Sequence, residues 1–113
     1  MKKKYVLKRN QDIEKVVKLG KSVGNKYYLI FFLPNNLNEP KVAVSVSKKF
    51  GNAVKRNYEK RVVRSILRDN FTNLPNCSIL IIVKINAARL KYHQKKSQIN
   101  YLINQIKKRE EGV

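Results

Sequence analysis

The stretch that decides the fold is residues 44–71, VSVSKKFGNAVKRNYEKRVVRSILRDNF. It begins with the alternation of a strand, turns at Gly51 and continues with helical spacing. Its second half repeats a basic residue every four positions, at Arg56, Lys60, Arg64 and Arg68. At ~1.5 Å rise per residue, these side chains form one row ~18 Å long on a helix. A row of this length predicts a partner that carries many negative charges.

Strands are predicted on both sides of this helix. Residues 41–47 alternate between valines and small or polar residues, and residues 78–85 are apolar on both faces, as in a central strand. Asn52 is the predicted N-cap of the helix, and Leu74-Pro75-Asn76 is its predicted end. The apolar side of the helix is expected to comprise Tyr58, Val62, Val63 and Ile66, with Leu67 near the basic edge. The strand, helix and strand together predict a crossover between parallel neighbours.

The remaining elements follow the same rules. A first helix is predicted from an N-cap at Asn10 to a stop at Gly20. A very short strand near Ser22 and a strand over residues 27–33 follow it. Residues 87–96 have no decisive pattern, and from Ser97 the spacing predicts a last helix. The sequence therefore predicts an α+β fold in one domain, residues 1–113.

The overall charge points to a polyanionic partner. The chain has 26 Lys and Arg against 7 Asp and Glu, a formal net charge of +19. Nucleic acid and an anionic membrane surface are both candidates on charge alone. The longest apolar runs are far shorter than the ~20 residues of a membrane span, and residues 5–7 are too short for a signal-peptide core. A single cysteine, Cys77, allows no internal disulfide and favours the cytoplasm.

No residue pattern indicates catalysis or metal binding by the chain itself. His93 lies in a polar, lysine-rich stretch, and Cys77 has no His or Cys nearby at metal-ligand spacing. The acidic residues form no internal pair that resembles a Mg²⁺ site. Glu59 and Asp69 are predicted to pair with cations of their own helix.

The basic row is interpreted as a nucleic-acid interface rather than a solvated face. Arginine outnumbers lysine in it, and a guanidinium binds phosphate with two parallel hydrogen bonds. Asn57 adds an amide for a base or sugar, while Lys48 and Lys49 precede a helix start whose free N–H groups attract anions. These residues do not distinguish DNA from RNA.

The run from Ser45 to Asn57, followed by Lys60-Arg61 and Arg64, resembles the RNR motif of the bacterial ribonuclease P protein subunit. Residues 12–20 resemble that family's first helix. The resemblance implies an αβββαβα two-layer sandwich, with a small mixed sheet packed by helices and a left-handed βαβ crossover. It also implies a cytoplasmic protein that assists a catalytic RNA, whose Mg²⁺-dependent chemistry removes the 5′ leader of precursor tRNA. Mg²⁺ is then a cofactor through the RNA subunit, and no membrane or obligate protein partner is expected.

The resemblance implies two sets of site residues. Those that it places against the catalytic RNA are Lys48, Lys49, Arg56, Asn57, Lys60, Arg61 and Arg64. The helix start and the basic row add Asn52 and Arg68 to the predicted RNA-binding residues. Those expected to line a cleft for the leader are Ile13, Val17 and Phe31, with Tyr27 and Tyr28 as substitutes. The family has Phe at two of these positions, so weaker leader contacts are expected here. A ribosomal-type RNA-binding protein and a DNA-binding regulator are the alternatives.

Overall fold

The structure, a computed structural model, describes residues 5–110. The basic residues 1–4 and the last part of the predicted domain, residues 111–113, lie outside the described residues. In chain order, the helices and strands are α1 (Asn10–Leu19), β1 (Lys21–Gly24), β2 (Tyr28–Pro34), β3 (Lys41–Val46), α2 (Ala53–Asp69), β4 (Cys77–Val83) and α3 (Tyr92–Glu110). Short 3-10 turns cover Lys48–Phe50, Phe71–Asn73 and Ile85–Arg89. The predicted αβββαβα order is confirmed.

The strands described form a mixed sheet in the order β1-β2-β4-β3. β4 is an interior strand, antiparallel to β2 and parallel to β3. In the parallel pair Val42 lies opposite Ile79 and Val46 opposite Val83. The predicted crossover through α2 between parallel neighbours is therefore confirmed, while its left-handed sense stays a prediction.

The main core lies between one face of the sheet and the helices α2 and α3. Every second residue of β2 and β4 points into it, because side chains alternate between the faces of a strand. The helices contribute their apolar stripes at helical spacing. The buried helical residues of this core are Val62, Val63, Ile66, Leu67, Ile99, Leu102, Ile103 and Ile106. Their burial fixes which side of α2 is left for solvent.

α1 packs on the opposite face of the sheet. There Leu7, Val16 and Leu80 form a smaller buried cluster, bordered by the partly buried Ile13 and Phe31. A Cβ added to Gly20, the residue after α1, would lie 2.5 Å from the carbonyl oxygen of Phe32. Only glycine permits this approach. Helices therefore cover both faces of the sheet, as the predicted packing of helices on a sheet requires. α2 and α3 lie on one face, and α1 lies on the other.

Three local features define the start of α2. Asn52 is its N-cap, as predicted, and the Asn52 side chain accepts a hydrogen bond of 3.0 Å from the Lys55 N–H. Gly51 has φ of +102°, a conformation that favours glycine. Phe50 is buried in the main core. The buried Phe50 before Gly51 and the cap at Asn52 after it therefore hold the turn, and this sets the direction in which α2 begins.

Several predicted helix ends were wrong. α1 begins at Asn10 with Arg9 as its N-cap residue, because the carbonyl of Arg9 already accepts from the Ile13 N–H at 3.1 Å. α2 ends at Asp69, before the predicted break at Leu74, Pro75 and Asn76. α3 begins at Tyr92, inside the stretch 87–96 for which the sequence had no decisive pattern. At its start, the Gln94 side chain accepts from the Lys91 N–H at 2.8 Å, which resembles half of a capping box.

A buried ion pair joins α2 to α3. Lys95 donates from Nζ to both carboxylate oxygens of Glu59 at 3.0 Å, and both residues are buried. The predicted pairing of Glu59 with cations of its own helix is therefore wrong. Leu67 is also buried in the main core instead of lying near the basic edge. Burial, with a further contribution from the Glu59 charge, raises the pKa of the neighbouring Tyr28 hydroxyl.

We expect Glu59→Ala to lower the free energy of unfolding by roughly 3–5 kcal/mol, because the Lys95 ammonium would remain buried without a partner. Urea unfolding measures this change. The control is the double variant Glu59→Met with Lys95→Met, which should be close to neutral because it removes both charges. If Glu59→Ala proved as stable as the unmodified protein, the conclusion that the buried Lys95 ammonium needs Glu59 as its partner would be contradicted.

Candidate nucleic-acid interface

The solvent side of α2 carries the predicted cations. We define the basic face as Arg56, Asn57, Lys60, Arg61, Arg64 and Arg68. Asn57, Arg61, Arg64 and Arg68 are exposed, whereas Arg56 and Lys60 are partly buried along the edge of the helix. The Nε atom of Arg56 is buried and has no hydrogen-bond partner among the described residues. The accessible part of the basic face is thus centred on Arg61 and Arg64.

No residue of the basic face takes part in an ion pair found within residues 5–110. The ion pairs found within residues 5–110 are Lys41 with Glu39 and Lys95 with Glu59. Glu59 belongs to α2, but its carboxylate lies on the core side with Lys95. Asp69, which was predicted to pair with a cation of α2, takes part in neither ion pair. The helix therefore presents positive charge that is available to an external anion.

The turn before α2 extends this positive surface. Lys48 and Lys49 are both exposed. The Lys49 N–H donates to the Ser47 hydroxyl at 3.2 Å and the Gly51 N–H to the Lys48 carbonyl at 3.1 Å. The side chain of Asn52 is exposed, and its oxygen is used in the helix cap. The structure thus places the three predicted residues of the turn directly before the basic face.

A shallow open depression runs along the basic face. It is lined by Val54, Asn57, Lys60, Arg61 and Arg64. Guanidinium groups hold phosphates in a fixed geometry, and the Asn57 amide both donates and accepts hydrogen bonds. This surface suits the backbone of a nucleic acid better than a small molecule, because it is long and open. Sequence reasoning missed Val54, which is 73% exposed at this site.

The structure brings Ile13 and Phe31, two of the predicted cleft residues, to the second face of the sheet. Ile13 and Phe31 are partly buried and pack against the small cluster that includes Val16. Val17, on α1, is 42% exposed. An apolar surface therefore lies beside α1 and is separate from the main core.

The two substitutes proposed for this cleft do not belong to it. Tyr28 is fully buried in the main core, on the opposite face of the sheet from Phe31, so the prediction that it lines the cleft was wrong. Strand alternation places residues 28 and 31 on opposite faces. Tyr27 packs against the main core, and Lys26 lies 5.2 Å from the centroid of its ring. Of the aromatic residues predicted to line the cleft, Phe31 is therefore the one that borders it.

The described residues show no arrangement for bond chemistry. No three His, Cys, Asp or Glu side chains within residues 5–110 lie close enough together to hold a metal ion. His93 is exposed, and Cys77 is a free, buried thiol. Burial, with a contribution from Glu110, raises the pKa of Cys77 to about 11, which opposes formation of a reactive thiolate at neutral pH. In the same part of the chain, no helix is long and apolar enough to cross a membrane.

The fold and the site together define a small α+β domain that presents a basic helix to a polyanion. A family model described as Ribonuclease P matches residues 1–107. The Ribonuclease P protein component of Acholeplasma laidlawii is 38% identical over 109 residues, which cover 95% of this chain and 93% of that protein.

Solved structures agree with this match. The RNase P protein of Staphylococcus aureus has a TM-score of 0.85 at 28% identity, covering 91% of this chain and 95% of that one. The RNase P protein of Thermotoga maritima has a TM-score of 0.82 at 28% identity, covering 88% and 94%. The chain therefore belongs to the family of bacterial ribonuclease P protein components. The predicted family is confirmed, and with it the role of a subunit in the endoribonuclease that matures the 5′ ends of tRNA.

We expect Arg61→Ala to weaken binding to ribonuclease P RNA and to reduce the slope of log K against log salt concentration by about 0.7–0.9, the value for one phosphate contact. Filter binding over a salt series measures both quantities. Lys108→Ala removes an exposed cation at the far end of α3 and serves as the control, with a smaller change in slope. An unchanged slope for Arg61→Ala would remove this residue from the interface.

Proposed function

We propose that this chain acts in the cytoplasm and binds the catalytic RNA of ribonuclease P through the basic face and the turn at Lys48 and Lys49. The observation that carries the proposal is that Arg61, Arg64 and Arg68 are exposed on a helix whose other side is buried, with Lys48 and Lys49 exposed in the turn before it. No carboxylate of the described residues is paired to any of these cations. The phosphates of a folded RNA supply the missing negative charge. Binding should release counterions and depend steeply on salt.

The protein contributes position and charge to the reaction. In this proposal, Mg²⁺ held by the RNA supports cleavage of the phosphodiester bond. The cations of α2 reduce the repulsion between the catalytic RNA and its RNA substrate, which lets the two approach at lower ion concentrations. Holding both in a fixed relative orientation lowers the entropic part of the barrier.

We further propose that the surface beside α1 holds the single-stranded 5′ leader of precursor tRNA. Phe31 offers a ring on which a base can stack, and Ile13 and Val17 offer aliphatic contact. An aliphatic side chain gives no aromatic stacking, so these contacts should be weaker than in a cleft lined by several rings. The leader would lie on the face of the sheet opposite to α2.

Processing of precursor tRNA at low Mg²⁺ tests the proposed function. The ribonuclease P RNA of Acholeplasma laidlawii is incubated with labelled precursor tRNA, with and without this chain. We expect the chain to lower the Mg²⁺ concentration needed for correct 5′ cleavage. An RNA-binding protein with a purely structural role would bind the RNA without changing this requirement, and that result would contradict the proposal.

We expect Val17→Phe to increase the affinity of the holoenzyme for precursor tRNA with a leader, by up to the ~1–3 kcal/mol of one base–aromatic stack. Val17 is exposed, so the larger ring needs no space in the core. The measurement compares substrates with a long leader and with a leader of one nucleotide.

The matched control is Leu19→Phe, an exposed position at the end of the same helix. Only Val17→Phe should increase the dependence of affinity on leader length. Equal effects of the two substitutions, or no effect of either, would argue against the leader position beside α1.

A further inference from the structure

Two exposed tyrosines, Tyr58 of α2 and Tyr92 of α3, each contact the other helix where α2 meets the start of α3. Tyr58 is 52% exposed and Tyr92 is 43% exposed. Tyr92 reaches across to α2, where its hydroxyl lies 3.2 Å from the hydroxyl of Ser65. We define Tyr58, Ser65 and Tyr92 as the tyrosine ledge.

Both rings are held in place by neighbouring groups. The Nζ atom of Lys95 lies 5.5 Å from the centroid of the Tyr58 ring, over one of its faces. Lys95 is itself fixed by its two hydrogen bonds to the buried Glu59. One face of Tyr58 therefore rests on a buried cation, and the exposed part of the ring is left for a ligand. The contact with Ser65 restrains Tyr92 in a similar way.

The tyrosine ledge borders the basic face. Ser65 follows Arg61 by four positions and precedes Arg68 by three, so these residues are neighbours on the surface of α2. Tyr58 likewise precedes Arg61 by three positions. A chain of phosphates that crosses Arg61 and Arg68 is thus brought next to two aromatic rings.

We propose that the tyrosine ledge stacks unpaired bases of the RNA whose backbone binds the basic face. This inference rests on the proposed function and adds a second kind of contact to it. A nucleic acid fits this surface because its phosphates match the positive charge beside the rings, and every base offers a flat π surface. It must be single-stranded or bulged at this point, because paired bases within a helix do not expose their faces. An acidic protein segment is the competing occupant.

Salt-series binding of tyrosine variants to the ribonuclease P RNA of Acholeplasma laidlawii tests the proposal. The variants are Tyr58→Leu and Tyr92→Leu, with Tyr58→Phe and Tyr92→Phe as conservative forms. Each Leu variant should bind about 5- to 150-fold more weakly, the range for loss of one stacked base. Its salt slope should be unchanged, because no phosphate contact is lost. The Phe variants should keep most of the affinity, since the ring remains.

The chain provides a matched control in Tyr101. It is 60% exposed on α3 and accepts a hydrogen bond from Gln105, but it lies two positions from the buried Ile99 and so faces away from the core. Tyr101→Leu should leave RNA affinity unchanged. Thermal unfolding of every variant, followed by circular dichroism, identifies any loss of affinity that follows from misfolding.

A fluorescent variant detects stacking directly. The natural chain contains no tryptophan, so Tyr58→Trp introduces a single indole at the tyrosine ledge. We expect RNA to quench its emission strongly, and to leave the emission of Tyr101→Trp nearly unchanged.

Three outcomes are distinguishable. Failure of the unmodified chain to bind the RNA would overturn the proposed function. Normal binding by both Leu variants, with no quenching of the indole in the Tyr58→Trp variant, would overturn only the tyrosine ledge. Weaker binding of the Leu variants to an acidic peptide, but not to RNA, would assign the surface to a protein partner and also overturn the inference.

Discussion

The structure depends on the burial of one side of α2 against the sheet. Val62, Val63, Ile66 and Leu67 enter the main core together with β4, which pairs with both β2 and β3. Because β3 and β4 are parallel neighbours joined through α2, the helix has no freedom to roll without exposing these residues to water. The buried pair of Glu59 and Lys95 also restricts rotation of α2. A rotation that separated the pair would leave a charge buried without a partner and would raise the free energy of the fold. The orientation of the basic face follows from the packing of the opposite side.

This arrangement lets a small, highly charged domain meet two requirements at once, a stable core and a positively charged surface. The apolar residues stabilise the fold, while repulsion among like charges opposes it. By pairing Glu59 with Lys95 inside the protein, the chain removes the one carboxylate of the central turns of α2 from the surface. In the proposed complex, the basic face then meets the RNA as a strip of cations without a neighbouring carboxylate. The second face of the sheet, beside α1, remains available for a different ligand, so the two proposed RNA contacts do not compete for the same side chains.

The elements that depend on local pattern were predictable from the sequence, and those that depend on distant partners were not. The cap at Asn52, the strands on either side of α2 and the exposed positions of Arg61 and Arg64 follow from spacing alone. The misplacement of Tyr28 was avoidable from the sequence, because residues 28 and 31 point to opposite faces of β2 and cannot both border one cleft. The partner of Glu59 lies 36 residues away, beyond any rule of helix spacing. Tyr58 was predicted on the apolar side, yet its neighbours from α3 leave it half exposed, a result of how two helices cross.

The most direct test of this account asks whether the position of the charges, rather than their number, determines RNA binding. One variant replaces Arg61, Arg64 and Arg68 of the basic face with Gln. The other replaces Lys18, Lys21 and Lys108, which are also exposed, with Gln, so that both variants have the same net charge. The account predicts that only the first loses most of its affinity for ribonuclease P RNA and its support of cleavage at low Mg²⁺. Equal losses in the two variants would show that net charge is sufficient and would contradict the assignment of α2 as the RNA-binding surface.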